Sequence, residues 1–443
     1  MNWLLPEGAE LHFEGLKRPL QILHGLGGGT QGQVYAVAVD GEALALKWYL
    51  PACIARDPRL ASRLRQSIGL GAPNADFLWP LALMEPTAAS RQLIRHPAAG
   101  FGYLMAQRSP GFLGAHLHAG GQLEISLQNV LRACFFLADG FHQLHLKGLC
   151  YKDISLGNLF LEPSSGRILI CDNDNVDIDG RDPGSVLGTP GFMAPEVLLR
   201  LARPSASSDL FSLAVLIFRL LTRHDPFRGR KELAIRCLDE PARRRLYGEE
   251  PLFIFDPDDD RNRPDPEEHA AALITWPIYP PAIHSLFIQS FGPGLRQPQR
   301  RSLTGQWTQA LASCLDRRQL CPHCGQETFP DPDQPGACWS CGQVLPQPLQ
   351  LEAPHGRLSA TAGNTLHRHH LDPLAVIDLH HPVARLEVHP SDPDLLGLKN
   401  LSGEAWQVEL SDGRTIVLEP GKTCNLSGLQ KIRTTTGPVT LLR

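Results

Sequence analysis

Tyr151-Lys152-Asp153-Ile154-Ser155-Leu156-Gly157-Asn158 is followed, fourteen residues after Asn158, by Asp172, and then by Gly188-Thr189-Pro190-Gly191-Phe192-Met193-Ala194-Pro195-Glu196. Carboxylate, amide and second carboxylate in this order form a set with a specific use. Phosphoryl transfer asks little covalent chemistry of a protein. It needs a group that orients the nucleophile and hard oxygen ligands that hold a divalent cation on the phosphates. Asp153 suits the first task, as acceptor of a hydroxyl proton, and Asn158 with Asp172 the second. An Asp-x-x-x-x-Asn alone is common in loops; joined in order to the Gly188 to Glu196 segment it is not.

Upstream, Leu26-Gly27-Gly28-Gly29-Thr30-Gln31-Gly32-Gln33-Val34-Tyr35 has the G-x-G-x-x-G-x-V form that lies over nucleotide phosphates, with Gly27, Gly29 and Gly32 as its glycines and Val34 as its valine. Glycine lets backbone N–H groups come close to the phosphates. A dinucleotide fold would continue at once into a helix. Here Val34 to Val39 alternates and is rich in β-branched residues, Asp40-Gly41 signals a hairpin, and Leu44-Ala45-Leu46-Lys47-Trp48 reads as a second strand ending on lysine. Lys47 is thereby expected to meet the α and β phosphates of ATP.

Together these motifs resemble a eukaryotic-like (Hanks-type) protein kinase over about residues 10 to 315. The resemblance implies a bilobal fold, ATP with Mg²⁺ or Mn²⁺ as cofactors, and a protein substrate. It makes Tyr103 to Arg108 the fifth strand and hinge, with Met105 as gatekeeper and the backbone of Ala106 and Arg108 toward adenine. It makes Asp209 the brace of the catalytic loop, and Arg301 the partner of Glu196. Thr189 stands where serine/threonine kinases keep a threonine near the catalytic aspartate, which points to a Ser/Thr substrate, although Ser155 blurs the distinction from Tyr.

The departures from the family pattern bear on activity. His-Arg-Asp reads Tyr151-Lys152-Asp153, the lysine two positions after the aspartate is Ser155, and Asp-Phe-Gly reads Asp172-Asn173-Asp174. No glutamate occurs between Lys47 and Glu85, so the helix acid that pairs with the strand lysine has no counterpart. Gln66, on a helix expected over Leu60 to Ile68, falls closest; an amide can hydrogen-bond Lys47 without neutralising it. Lys47, Asp153, Asn158 and Asp172 all survive, which favours an active kinase over a nucleotide-binding pseudokinase scaffold. The activation segment carries Asp174, Asp177, Asp179 and Asp182, with Ser185 and Thr189 as its hydroxyls. Phosphate there meets like charge, and one of these aspartates is expected to pair permanently with Lys152; an acidic solvated loop is the alternative.

At 443 residues the chain exceeds the roughly 250–300 at which single cores stop growing, so several domains are expected. A net charge of -4 gives no general attraction to nucleic acid or anionic lipid. The longest apolar run, Leu213 to Phe218, is far short of the roughly 20 residues of a membrane span. The first residues lack a signal-peptide pattern, and a cytoplasmic protein is expected.

Of eleven cysteines, four are patterned: Cys321-Pro322-His323-Cys324-Gly325 and Cys338-Trp339-Ser340-Cys341-Gly342, thirteen residues apart. Two such knuckles aim four thiolates at one tetrahedral, structural Zn²⁺. Two disulfides or a rubredoxin-type iron centre would use the same sulfurs. His323 is expected to face solvent. The segment from Cys321 to Cys341 contains no Lys or Arg, so nothing there grips a nucleic acid backbone.

Arg243 to Pro281 combines an acidic run, Asp256 to Asp260, with dense proline, and reads as a looped insertion able to dock a partner, or simply as solvated loop. Beyond the ribbon, Pro346-Gln347-Pro348 opens a linker. From Leu366 onward, short strands at close spacing (Leu396 to Ser402, Ala405 to Leu410, Thr415 to Glu419, Val439 to Leu442) predict a small sandwich or barrel. It is faintly similar to forkhead-associated (FHA-like) domains, without an assignable phosphate pocket. His367, His369, His370, His380 and His381 read as surface histidines, a metal site being the alternative.

The expected fold is thus α+β: kinase N-lobe 1–106, C-lobe 107–315, zinc ribbon 316–348, linker 349–365 and all-β domain 366–443. This architecture resembles bacterial kinases grouped with a von Willebrand A-type protein and a PP2C-like, metal-dependent phosphatase, as in tellurite-resistance-associated triads. The resemblance implies those neighbours as partners.

Overall fold

The computed structural model describes residues 2–95, 100–180, 188–330 and 336–442. Asp182 and Ser185 lie outside them.

Six antiparallel strands form the first sheet: β1 (Glu10–Leu11), β2 (Leu20–Gly28), β3 (Gly32–Val39), β4 (Glu42–Tyr49), β5 (Ala82–Met84) and β6 (Gly102–Ala106), in the order β1-β2-β3-β4-β6-β5. The β3–β4 hairpin closes on Asp40 and Gly41, both at positive φ, as a two-residue turn requires. Its register sets Val34 opposite Lys47. Two register shifts bend β2 against β3, one of them between Gly25 and Gly27, so the glycine-rich end curls. At Gly32 a Cβ would lie 2.5 Å from the Trp48 carbonyl oxygen, so only glycine lets the strands close there. Helix α1 (Leu60–Leu70) packs Leu60 and Leu64 against Ala45, Tyr49, Tyr103 and Met105.

Below this sheet lies a mainly helical lobe. Helix α2 (Leu127–Leu146), capped by Ser126, and α3 (Ala206–Thr222), started by a Ser205–Ser208 capping box, are nearly all apolar inward and fill its centre with α4 (Pro281–Phe291) and α5 (Thr304–Asp316). The segment expected to be an insertion loop is built into this core. It starts in the last turn of helix Glu240–Arg244 and contains helix Ala270–Thr275. Phe253 and Ile254 are fully buried, and Phe255 stacks on Trp276 with centroids 4.4 Å apart. The aromatic residues that flank the acidic run overrode the local loop signals.

The C-terminal part is two antiparallel sheets enclosing a core of Leu351, Leu366, Leu386, Leu398, Trp406, Val408, Ile432 and Val439. The six-stranded sheet takes Gly356–Ser359, Gln350–Ala353, Pro438–Leu442, Leu429–Arg433, Trp406–Leu410 and Thr415–Leu418, in that order. The four-stranded sheet takes Thr365–His367, Pro382–His389, Asp392–Asn400 and Thr423–Asn425. The expected linker over 349–365 is therefore corrected: Gln350–Ala353 and Gly356–Ser359 are a hairpin of the larger sheet, with Leu351 and Leu358 inward.

The parts are fastened by polar contacts. Arg318 bonds Glu327 of the ribbon (2.6 Å) and Ala362 and Asn364 of the tail, while Asn364 returns a bond to the Arg318 carbonyl. His370 donates to Asp316 at the end of α5 (3.1 Å), and His380 stacks on Phe136 of α2 (4.2 Å) and faces Asp76. His367 and His370 are thus buried rather than surface histidines. A metal is disfavoured at Asp316, His369 and His370, although their donor atoms lie close together. The His367 backbone N–H donates to His370 Nδ1, which leaves the proton on Nε2, the nitrogen that faces Asp316.

Candidate active site

A cleft of about 530 Å³ opens between the sheet and the helical lobe. Gly27, Gly29, Gly32, Val34 and Lys47 line it from above, Met105, Ala106 and Arg108 from the β6 exit, and Asp153, Asn158 and Asp172 from below. The structure brings together every residue that the sequence assigned to nucleotide and catalysis. At Gly27 and Gly29 an added Cβ would meet no protein atom, unlike at Gly32.

Asp153 and Asn158 sit on a loop held from beneath. Asp209 of α3 accepts from the backbone N–H of Tyr151 (2.6 Å) and Lys152 (3.0 Å), the latter at positive φ. The Tyr151 hydroxyl, fully buried, donates to the Cys171 carbonyl and ties the loop to the residue before Asp172. Asn158 donates to the Asp153 carbonyl (2.9 Å), which leaves the oxygen of its amide as the hard donor that could meet a cation in the cleft it shares with Asp172. Thr189 donates to Asp153 (2.6 Å). Burial raises the Asp153 carboxyl above the usual range against the Thr189 bond, and nearby Asp172 adds to the rise, so Asp153 is a stronger base than an exposed aspartate.

The charge partner of Lys47 departs from the expectation. Lys47, 4% exposed, meets Asp174 at 2.8 Å, Asp172 at 3.1 Å and Gln31 at 3.2 Å. Asp174 is itself buried, accepts from the Tyr49 hydroxyl (2.5 Å), and has its backbone carbonyl held by Arg63 of α1 (3.0 Å). Burial opposes both charges. Asp174 nevertheless holds Lys47 well above its ordinary value, and Lys47 in turn keeps Asp174 low. The acid for Lys47 therefore comes from the Asp172 loop, while Gln66 lies half-buried on α1. Asn173, in place of the phenylalanine of the family pattern, donates to the carbonyls of Leu78 and Ile170, both at 2.9 Å.

In the activation segment Lys152 pairs with Asp177 (3.2 Å), and both side chains are largely buried. Asp179 accepts from the first residue of α3, Ala206. Arg301, fully buried, grips both carboxylate oxygens of Glu196 at 2.8 Å, the pairing expected from sequence.

With this geometry in view, comparison with known proteins is direct. Residues 111–274 match the family described as the protein kinase domain. The chain is 34% identical over 137 residues to protein kinase C delta type of Mus musculus, covering 29% of this chain and 19% of that protein. It is 31% identical over 137 residues to beta-adrenergic receptor kinase 1 of Didelphis virginiana, covering 31% and 19%. It is 30% identical over 252 residues to CBL-interacting protein kinase 4 of Oryza sativa subsp. japonica, covering 52% and 50%. The chain thus spans between a fifth and a half of these relatives. It carries a protein kinase domain of mixed α and β structure. Among the described residues no helix is long and apolar enough to cross a membrane.

Downstream, the sulfurs of Cys321, Cys324, Cys338 and Cys341 lie within 4.8 Å of one another. Cys321 and Cys341 are 3.7 Å apart, and Cys324 and Cys338 3.6 Å. Four sulfurs about 2.3 Å from one tetrahedral ion would stand about 3.8 Å apart, so the set fits Zn²⁺. All four are free thiols, which sets aside the disulfide alternative. Each knuckle turns on a glycine at positive φ, Gly325 and Gly342, whose N–H bonds the first cysteine's carbonyl. Burial opposes ionisation of Cys321, but the N–H groups of Cys324 and His323 and the neighbouring thiols hold it down to about 6. His323 is exposed.

Proposed function

We propose that this chain is an ATP-dependent protein kinase that transfers the γ-phosphoryl group to a Ser or Thr hydroxyl of a protein. The observation that carries this reading is the convergence of Lys47, Asp153, Asn158 and Asp172 on one cleft beneath the glycine-rich hairpin. Asp153 accepts the proton of the attacking hydroxyl as the oxygen bonds to phosphorus, and ADP leaves with the former bridging oxygen. Asn158 and Asp172 are the residues that would hold Mg²⁺ or Mn²⁺, which neutralises charge on the phosphates. Lys47 binds the α and β phosphates, and the backbone at Ala106 and Arg108 meets adenine. The Thr189–Asp153 bond supports a Ser/Thr acceptor.

The Lys152–Asp177 pair fills the place where a phosphate-reading arginine works in the family, so the activation segment is held without phosphorylation. The ribbon and sandwich, fastened to the kinase domain through Arg318 and His370, recruit the substrate. A von Willebrand A-type protein and a PP2C-like phosphatase are the partners suggested by architecture. Cytoplasmic location is in keeping with eleven free cysteines.

One observation favours the scaffold reading: Asp174, Asp172 and Gln31 occupy the three donors of the Lys47 ammonium, so a nucleotide phosphate must displace one of them. The deciding experiment is transfer of labelled γ-phosphate to the chain itself and to a generic protein, with Asp153→Ala, Asp172→Ala and Lys152→Ala alongside. Transfer is expected in the wild type, loss of at least about 1,000-fold in the two aspartate variants, and a several-fold loss in Lys152→Ala. Nucleotide binding with no transfer to any protein, partners included, establishes the scaffold.

A further inference from the structure

A second cavity of about 530 Å³ borders the catalytic loop on the side away from the nucleotide. Leu156 lines it, whereas the next residue, Gly157, lines the nucleotide cleft; Pro190, next to the Thr189 that bonds Asp153, lines it too. The rest of the wall is strongly basic: Arg219, Arg223, Arg228 and Arg243 all face the cavity, with Asp225 as its acid.

The charges do not cancel. Arg219 pairs with Asp225 and lies over the Phe192 ring, and Arg228 pairs with Glu232 at 2.5 Å. Among the described residues, Arg223 and Arg243 have no carboxylate partner. Arg223 is held at positive φ at the C-terminal end of α3, so its backbone position is fixed by the fold even though its side chain is exposed. Four guanidinium groups against two carboxylates leave two cations directed at a concave site within one residue of the catalytic loop.

We infer that this cavity selects substrates that carry an anionic side chain, a carboxylate or a phosphate ester, near the phosphoacceptor hydroxyl. The inference rests on the kinase reading of the neighbouring cleft. Guanidinium groups bind both anions through paired N–H donors, and in a partly enclosed site the attraction exceeds that of exposed ion pairs. The wall also rejects basic peptides, because a substrate lysine there would face unbalanced like charge.

The test is direct binding of fluorescent Ser-containing peptides, flanked by Asp, by phosphoserine or by Lys, to the full chain at low salt, read by anisotropy. The acidic and phosphorylated series are expected to bind at least about tenfold tighter than the Lys series, with the preference weakening as salt rises. Comparison of Asp with phosphoserine tells which anion is the source. Reversal of charge in an Arg223→Glu, Arg243→Glu variant is expected to turn the preference toward Lys, a gain that a misfolded variant cannot give. Equal binding of the series, or a preference untouched by the reversal, overturns the inference. Phosphate transfer without anion preference overturns this inference alone, whereas anion-selective binding without any transfer overturns the kinase reading and with it the assignment of the bound anion to a substrate.

Discussion

Lys47 and Asp174 stand 127 residues apart in sequence and 2.8 Å apart in space, whereas the four thiols of the ribbon come from the 21 residues between Cys321 and Cys341. The cleft exists only once both lobes are folded: its charges come from β4, the Asp172 loop and the catalytic loop, each held by a different part of the core. The ribbon is assembled by two local knuckles whose four sulfurs are placed to hold one ion, with little core of its own. A pair buried by the fold fails when either partner is removed; a metal knuckle fails when the metal leaves, whatever the rest of the chain does.

The largest effect is expected from that second dependence. Structural Zn²⁺ contributes on the order of 10 kcal/mol to the folding of a small ribbon, far more than any single contact elsewhere. The chain should carry one equivalent of zinc by elemental mass spectrometry, lost in Cys338→Ser. Hydrogen exchange over residues 319–345 should then accelerate by orders of magnitude while β2, β3 and β4 keep their protection. Phe329 stacks on Tyr279 of the kinase domain, so a modest rise near the start of α4 is expected as well. Loss of protection in the cleft strands on zinc removal would break the comparison.

Next in size is Asp174→Asn, which leaves the Lys47 ammonium buried beside Asp172 with its nearest counter-charge gone. Removing one partner of a buried pair costs about 3–5 kcal/mol. The urea midpoint should fall accordingly, with ATP affinity reduced, and the ribbon's zinc content should stay at one equivalent. Tyr49→Phe, which removes one hydrogen bond to Asp174, should cost about 1 kcal/mol. An unchanged midpoint in Asp174→Asn would mean that Asp172 alone neutralises Lys47.

What could be read in the sequence follows the same division. The order of Gly27 to Val34, Lys47, Asp153, Asn158 and Asp172 announced the cleft, and Asp209 and Arg301 make the contacts that the family resemblance implied. The cysteine spacing announced the ribbon. Asp174 was visible as an extra acid but not as the partner of Lys47, because the expected partner lies on the helix, where α1 instead sends Arg63 toward the Asp174 carbonyl. The available signal was charge balance: a helix acid missing and a loop acid gained. Gln350 to Ser359 looked like linker because four-residue strands beside prolines carry little periodicity. Their own hairpin is anchored in the larger sheet by the pairing of Gln350–Ala353 with Pro438–Leu442, some 90 residues away. Phe253 and Trp276 were masked by the acidic run between them. The basic cavity left no motif: Arg219 and Arg223 close the end of α3, but Arg228 follows in a loop and Arg243 comes from the Glu240–Arg244 helix.

The last effect belongs to the histidines where the tail meets the kinase domain, and it separates this contact from the cleft by pH. Burial, with His370, His369 and Arg132 adding to it and Asp378 opposing, pushes His367 down to about 3; burial and His370 push His369 to about 4 despite Asp316 and Asp378. Both are therefore neutral in the folded chain where an unfolded histidine, at about 6.5, begins to take up protons. Between pH 6.5 and 4 the unfolded state binds more protons, so stability is complete above 6.5 and declines as pH falls toward 4, by on the order of 2–4 kcal/mol. The Lys47–Asp174 pair responds in the same direction but in a lower window. Asp174 is depressed from an ordinary aspartate value, so its contribution is present above about 4 and lost only below, and the cleft should be steady in the histidines' window. Urea midpoints at pH 7 and pH 5 should differ for the transition that includes the tail, and His367→Phe, which cannot be protonated and sacrifices one bond to Thr365, should remove about half of that difference. If His367→Phe keeps the whole difference, the acid sensitivity arises elsewhere; if the cleft's nucleotide affinity falls in step with the tail between pH 7 and 5, the two regions are one cooperative unit.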